Sequence, residues 1–300
     1  TDVVARLAPV LAGLALVFLP LALRRWLGMP AVLGMAGLIA LSPTLVYASR
    51  VVSPEIVVAL LALAAAVVLI RLGERAAGDA PSISRLETRR SAAVIGALGG
   101  IALATAPSAI SVALTVVIGI ALAGFAAPEG TIRAGGRALR DAWWIALLAF
   151  VLAALLGFTR FLSNPAGIAG AAETLRAWWT LLTSGGEQPV QVFLLILLVY
   201  EPIAILFAIA ALVRTEEREA VVLFGGWFAA AFALWSFSAG RSPAQAIHVV
   251  LPLLLVAGIA LGALLHEIAW REVWNGRGVL LVLAMLGVLA GLSAVGVLAS

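Results

Sequence analysis

The sequence predicts an all-α membrane protein, a polytopic transmembrane helix bundle of about ten spans. Three observations carry that expectation. Hydrophobic residues make up 64% of the 300 residues and charged residues only 11%, too little charge to coat a soluble domain of this size. Mean hydropathy is +1.16, and the apolar residues gather in runs near the roughly 20 that cross a bilayer. The nineteen basic residues are all arginine and fall in short clusters between those runs. Because they form no single stripe, the isoelectric point near 10.8 reports topology, and no nucleic-acid partner is expected. The absence of cysteine excludes disulfides, thiolate catalysis and cysteine-ligated metals.

The spans are expected near 7–23, 30–47, 55–71, 92–105, 108–125, 142–159, 189–213, 219–238, 245–265 and 278–299. The fourth and fifth are divided at Thr105–Ala106–Pro107–Ser108, since 92–125 is too long for one crossing. Ser84 and Glu87 have capping-box spacing and should start the helix leading into the fourth. The loop 160–188 holds a helical stretch near 171–182 with Trp178 and Trp179, suited either to the bilayer interface or to packing on the protein. The whole chain, 1–300, reads as a single transmembrane domain.

Arginine placement gives an orientation. If the connection after the first span is cytoplasmic, that side holds Arg24, Arg25, Arg71, Arg75, Arg85, Arg89, Arg90, Arg133, Arg137, Arg140, Arg214, Arg218, Arg271 and Arg277. The outer side keeps Arg6, Arg50, Arg160, Arg176 and Arg241.

In such a chain the informative residues are ionisable ones within or beside apolar runs. Glu201, in Tyr200–Glu201–Pro202, falls mid-span, and Pro202 should leave a local kink. It could hold a substrate group or a cation, or lock helices together. Glu55 follows Pro54 at the start of the third span, where an acid meets the positive helix end. With Arg50 it could also face one outer pocket and grip phosphate and a divalent cation, making Glu55 the candidate metal ligand. Arg241 suits an anionic headgroup, and His248 lies just inside the ninth span, where a packing role outweighs that of a base. Two histidines on opposite sides make a histidine metal site implausible.

Several stretches resemble GT-C-type membrane glycosyltransferases. They include Asp2 to Leu7 with Gly13 and Arg24–Arg25, then Ser42–Pro43–Thr44–Leu45–Val46–Tyr47–Ala48–Ser49–Arg50 with Glu55 following. Gln188–Pro189 leading to Leu198–Val199–Tyr200–Glu201–Pro202, and Pro243 through His248 to Gly258, look like the flippase activity-associated family. That family is related to the protein O-mannosyltransferases and aminoarabinose transferases. The resemblance implies sugar transfer from a polyprenyl-phosphate carrier on the outer face of a prokaryotic plasma membrane that the chain crosses many times. It implies a catalytic acid upstream of Thr1, a second acid at Glu55, and substrate-binding roles for Arg50, Glu55, Glu201, Arg241 and His248. Two departures stand out: the family places an arginine where this chain has Ser53, and a tryptophan where it has Ala244. They favour an alternative, a non-catalytic membrane subunit packed against membrane-protein partners. A lipid or solute transporter ranks last.

Overall fold

The computed structural model describes residues 2–77, 84–184, 188–214 and 217–268. Contacts divide the chain into two units, Thr1–Ala263 and Leu264–Ser300. All candidate site residues lie in the first. The expected tenth span, 278–299, with Arg271 and Arg277, lies outside the described residues.

Among the described residues the fold is helical without strands, in keeping with an integral multi-pass membrane protein. Its α-helices are α1 (Asp2–Phe18), α2 (Arg24–Leu41), α3 (Pro43–Arg50), α4 (Glu55–Ala77), α5 (Arg85–Thr105), α6 (Ser108–Ala126) and α7 (Thr131–Asp141). There follow α8 (Trp143–Phe158), α9 (Ala169–Thr183), α10 (Val192–Tyr200), α11 (Pro202–Arg214), α12 (Arg218–Phe237) and α13 (Ala246–Glu267). The Ser84 hydroxyl accepts from the Glu87 amide at 3.2 Å and caps α5, as its spacing indicates.

The expected count of about ten spans is not confirmed among the described residues. Among the described residues, five helical stretches are long and apolar enough to cross a membrane, or seven if two bent pairs each count as one. Three local causes explain the difference. The predicted span 30–47 stops at Leu41, because Pro43 drives Ser42 to an extended conformation (ψ 119°) and Ser42 instead caps the separate α3. The predicted span 189–213 is α10 and α11, meeting at 93° across Glu201–Pro202, a far sharper break than a kink. In α5 the first turns carry Arg85, Glu87, Arg89 and Arg90, which leaves too short an apolar stretch to qualify alone. The sixth predicted span, α8, is preceded by α7 at 77°. Gly28, at φ 77°, breaks the continuous stretch Arg6–Leu41, which is too long for one crossing.

The core is centred on α13, whose residues from Ala246 to Ala260 are all buried. Small residues let its neighbours approach. A methyl group added at Gly34 of α2 would collide with the Gly258 carbonyl oxygen of α13, and one added at Gly262 with Ala31. Gly37, one turn further along α2, faces open space. Gly34→Ala should therefore lower the stability of the detergent-solubilised protein by about 1–3 kcal/mol through overpacking. Gly37→Ala should be neutral or stabilising by about 0.5–1 kcal/mol. Thermal or denaturant unfolding of the two variants checks the contrast.

Candidate functional site

Ionisable groups meet at one end of the bundle, where α4, α6 and α13 all begin. Pro54 supplies no amide hydrogen, so it fits the turn before α4, and its carbonyl accepts from the Val57 and Val58 amides at 3.0 and 3.1 Å. Glu55 thus stands at the first helical position, where an acid complements the helix end. Its side chain does more than that, reaching across to two other helices. The Ser108 hydroxyl at the start of α6 donates to Glu55 Oε2 at 2.6 Å. His248 Nε2 at the start of α13 lies 2.6 Å from the same oxygen. An ionised carboxylate oxygen receiving both contacts requires His248 Nε2 to carry the hydrogen. Trp235 of α12 stacks on the imidazole, with ring centroids 5.8 Å apart and planes 20° apart. His248 Nδ1 is buried without a protein partner, while Glu55 keeps partial exposure, 15% for its side chain.

Arg50 closes α3 and is exposed, joined to Glu55 by only the short connection 51–54. No hydrogen bond or ion pair engages it among the described residues. Arg241 is placed differently. Its Nε donates to the Gln188 carbonyl at 3.1 Å, and its Nη1 to the carbonyls of Ser236 and Ser238 at 3.2 and 2.6 Å. It therefore satisfies free carbonyls at the buried end of α12 and ties that end to the segment leading into α10. The adjacent Gly240 and Ala239 amides donate to Leu181 and Leu182 at the end of α9. Trp178 of α9 donates to Ser111 of α6 at 2.9 Å, so this face of the loop helix packs on the protein while Trp179 stays exposed.

Glu201 belongs to a separate cluster. It is 4% exposed at the α10–α11 break, where Ser42 Oγ donates to its Oε1 at 2.5 Å and the Thr44 amide donates to it at 3.3 Å. Two proline breaks, Ser42–Pro43 and Glu201–Pro202, thus face each other, and the carboxylate sits at the N-terminus of α3. No group of three His, Asp or Glu side chains positioned to hold a metal occurs among the described residues.

The structure therefore brings Glu55 and His248 together, keeps Arg50 nearby in sequence, engages Arg241 with backbone, and sets Glu201 apart. Sequence reasoning missed Ser108, Ser111 and Thr115. They fall at i, i+3 and i+7 on α6 and are fully buried, a polar stripe visible in the apolar run. Trp235 had no comparable signal. Glu55→Ala should cost about 1–3 kcal/mol of stability by leaving His248 Nε2 and the Ser108 hydroxyl without their partner. In a double-mutant cycle with His248→Ala the losses should be non-additive by about 1–3 kcal/mol. Ser42→Ala should cost about 1–3 kcal/mol by removing a donor from a buried carboxylate. Unfolding of the solubilised protein measures all of these.

No family model matches the chain, and no curated protein matches it. Two solved structures do. ArnT from Cupriavidus metallidurans bound to undecaprenyl phosphate superposes with a TM-score of 0.63 at 20% identity, over 95% of this chain and 50% of ArnT. The apo form of ArnT gives a TM-score of 0.58 at 18% identity, over 95% and 49%. The chain spans about half the length of ArnT. At this identity the likeness is one of fold alone: the chain shares the helical architecture of about half of ArnT.

Proposed function

We propose that the chain binds a polyprenyl-phosphate-linked sugar and takes part in transferring that sugar at the outer face of a prokaryotic plasma membrane. The observation that carries this reading is the shared fold with a protein bound to undecaprenyl phosphate.

An apolar groove of about 590 Å³ between α4, α5 and α6 supports it. Val58 and Ala109 line one end of the groove, close in sequence to Glu55 and Ser108, with Leu175 of α9. Leu69 and Leu139 line it further along, so it follows α4 for about 16 Å at 1.5 Å per residue. Leu114 and Val117 are lining residues that are also exposed, so the groove opens sideways towards lipid. This shape suits part of an isoprenoid chain whose phosphate lies at the Glu55 end.

In this reading Arg50, exposed and unpaired among the described residues, binds the carrier phosphate with a planar pair of donors. His248 and Ser108 hold the Glu55 carboxylate fixed in place, and in this reading it lies beside that phosphate. A divalent cation here would have Glu55 Oε1 and the phosphate oxygens as ligands, as oxygen-preferring ions permit. Glu201 shapes the interior by fastening α3 to the α10–α11 break, and Arg241 braces the neighbouring loop. Transfer would join the acceptor oxygen to the anomeric carbon and break that carbon's bond to the carrier phosphate, which leaves, while the hydroxyl proton passes to a carboxylate base other than these residues.

A second reading, a non-catalytic subunit that keeps the fold, is favoured by Arg241, whose donors serve backbone carbonyls. Binding and turnover together separate the two. Undecaprenyl phosphate should bind the purified full chain, and Arg50→Gln should weaken it about tenfold or more, as expected for a bond to a charged group. Ala113→Trp, which fills the groove from an exposed lining position, should weaken it comparably. Glu55→Gln should then abolish sugar transfer if the chain is an enzyme. Binding unchanged in both Arg50→Gln and Ala113→Trp would contradict the proposed carrier site.

A further inference from the structure

The other end of the bundle carries a surface that the proposed carrier site does not use. There Gly73, near the end of α4, packs on the Thr131 carbonyl at the start of α7. One face of α7 is fixed in place. Ile132 is 1% exposed, Ala134 and Gly135 are buried, and a side chain at Gly135 would crowd the Leu69 carbonyl of α4. Glu219 of α12 accepts from the Thr131 and Ile132 amides at 3.2 and 2.7 Å, which satisfies two orphan donors at the helix start. Away from these contacts, Arg133, Arg137 and Arg140 stand at i, i+4 and i+7 and are all exposed. None is paired with an acid among the described residues.

Two independent features set the depth of this helix. First, α7 meets α8 at 77°, so it lies across the direction of the apolar helix that follows. Second, Trp143 and Trp144 at the elbow are 60% and 51% exposed, and exposed tryptophan pairs mark the bilayer boundary. Further arginines join them. Gly96 abuts Ala146 and Ala104 abuts Gly157, so α5 and α8 run parallel. The exposed Arg85, Arg89 and Arg90 at the start of α5 therefore lie at the same end as the tryptophans. Acids are present at this end too: Asp141, Glu129 and Glu217 are exposed, Glu74 follows Gly73 on α4 among Arg25, Arg71 and Arg75, and Glu87 sits 3.9 Å from Arg75.

We propose that α7 is an interfacial helix that docks on anionic phospholipid headgroups of the adjoining leaflet through Arg133, Arg137 and Arg140. Guanidinium groups at headgroup depth bind phosphate oxygens with paired donors, and their stems lie along the apolar surface below. A headgroup with net negative charge is preferred because no amine of its own opposes the arginines. This surface is separate from the carrier groove, and its test is independent of sugar transfer.

The test incubates the immobilised full chain with mixed micelles holding equal phosphatidylglycerol and phosphatidylcholine, then measures the retained lipid ratio by mass spectrometry. The unaltered protein should retain phosphatidylglycerol in about tenfold excess at low salt, given a few-fold contribution from each arginine. The triple variant R133Q/R137Q/R140Q should fall to near parity, while R133K/R137K/R140K keeps most of the excess. R160Q/R176Q, altered outside this surface, should match the unaltered protein. The excess should also shrink several-fold at high salt, a readout that needs no variant. Parity in the unaltered protein, an excess insensitive to salt, full retention by R133Q/R137Q/R140Q, or equal loss in R160Q/R176Q would each overturn the proposal.

Discussion

A carboxylate inside an apolar bundle must be supplied with donors, and this structure meets that constraint by drawing distant parts of the chain together. Glu55 takes its donors from Ser108 and from His248, the latter 193 positions away. Glu201 takes its own from Ser42 and the Thr44 amide, 159 and 157 positions away. Both clusters join the first third of the sequence to the last. Apolar packing alone gives helices little directional preference in lipid, because a lipid tail satisfies a leucine as well as a neighbouring helix does. The two carboxylates supply direction. They fix where α4 begins relative to α13, and where α3 sits against the α10–α11 break.

That arrangement gives the two ends of the bundle different characters. At the Glu55 end most polar groups are engaged internally: Arg241 with three carbonyls, Trp178 with Ser111, Glu55 with its two partners. Arg50 is left exposed at the end of α3, one short connection before Glu55. At the α7 end the arginines point outward and Glu219 is the group turned inward. A selective carrier site and a general affinity for a charged leaflet are different chemical tasks. The first requires a few charges held rigidly, and the second requires many held loosely.

Much of this was legible in the sequence, for identifiable reasons. The starts of α4, α6, α12 and α13 follow from composition, because proline and charged residues punctuate the apolar runs. Glu55, Glu201 and His248 stood out because ionisable residues in apolar segments need a physical reason. Their partners were harder to see. A serine costs little in an apolar helix and raises no alarm, so Ser42 and Ser108 came to light through geometry. The Arg241 position shows the opposite limit: an arginine beside a proline-bounded loop reads as a phosphate ligand, while its donors here complete a helix end. The 93° break at Glu201–Pro202 also exceeds what proline alone imposes. It depends on Ser42 and Thr44 meeting the carboxylate, which no local pattern encodes. The GT-C resemblance, by contrast, came from motifs in succession and is matched by the fold.

The account turns on a polar mouth and an apolar groove forming one continuous site. An experimental structure of the full chain in a lipid nanodisc with undecaprenyl phosphate tests this most directly. The phosphate should lie within bonding distance of Arg50 beside Glu55, the isoprenoid should run between α4 and α6, and the Glu55–His248 contact should persist. A carrier seated instead among the arginines at the α7 end, with the α4–α6 groove empty, would contradict it.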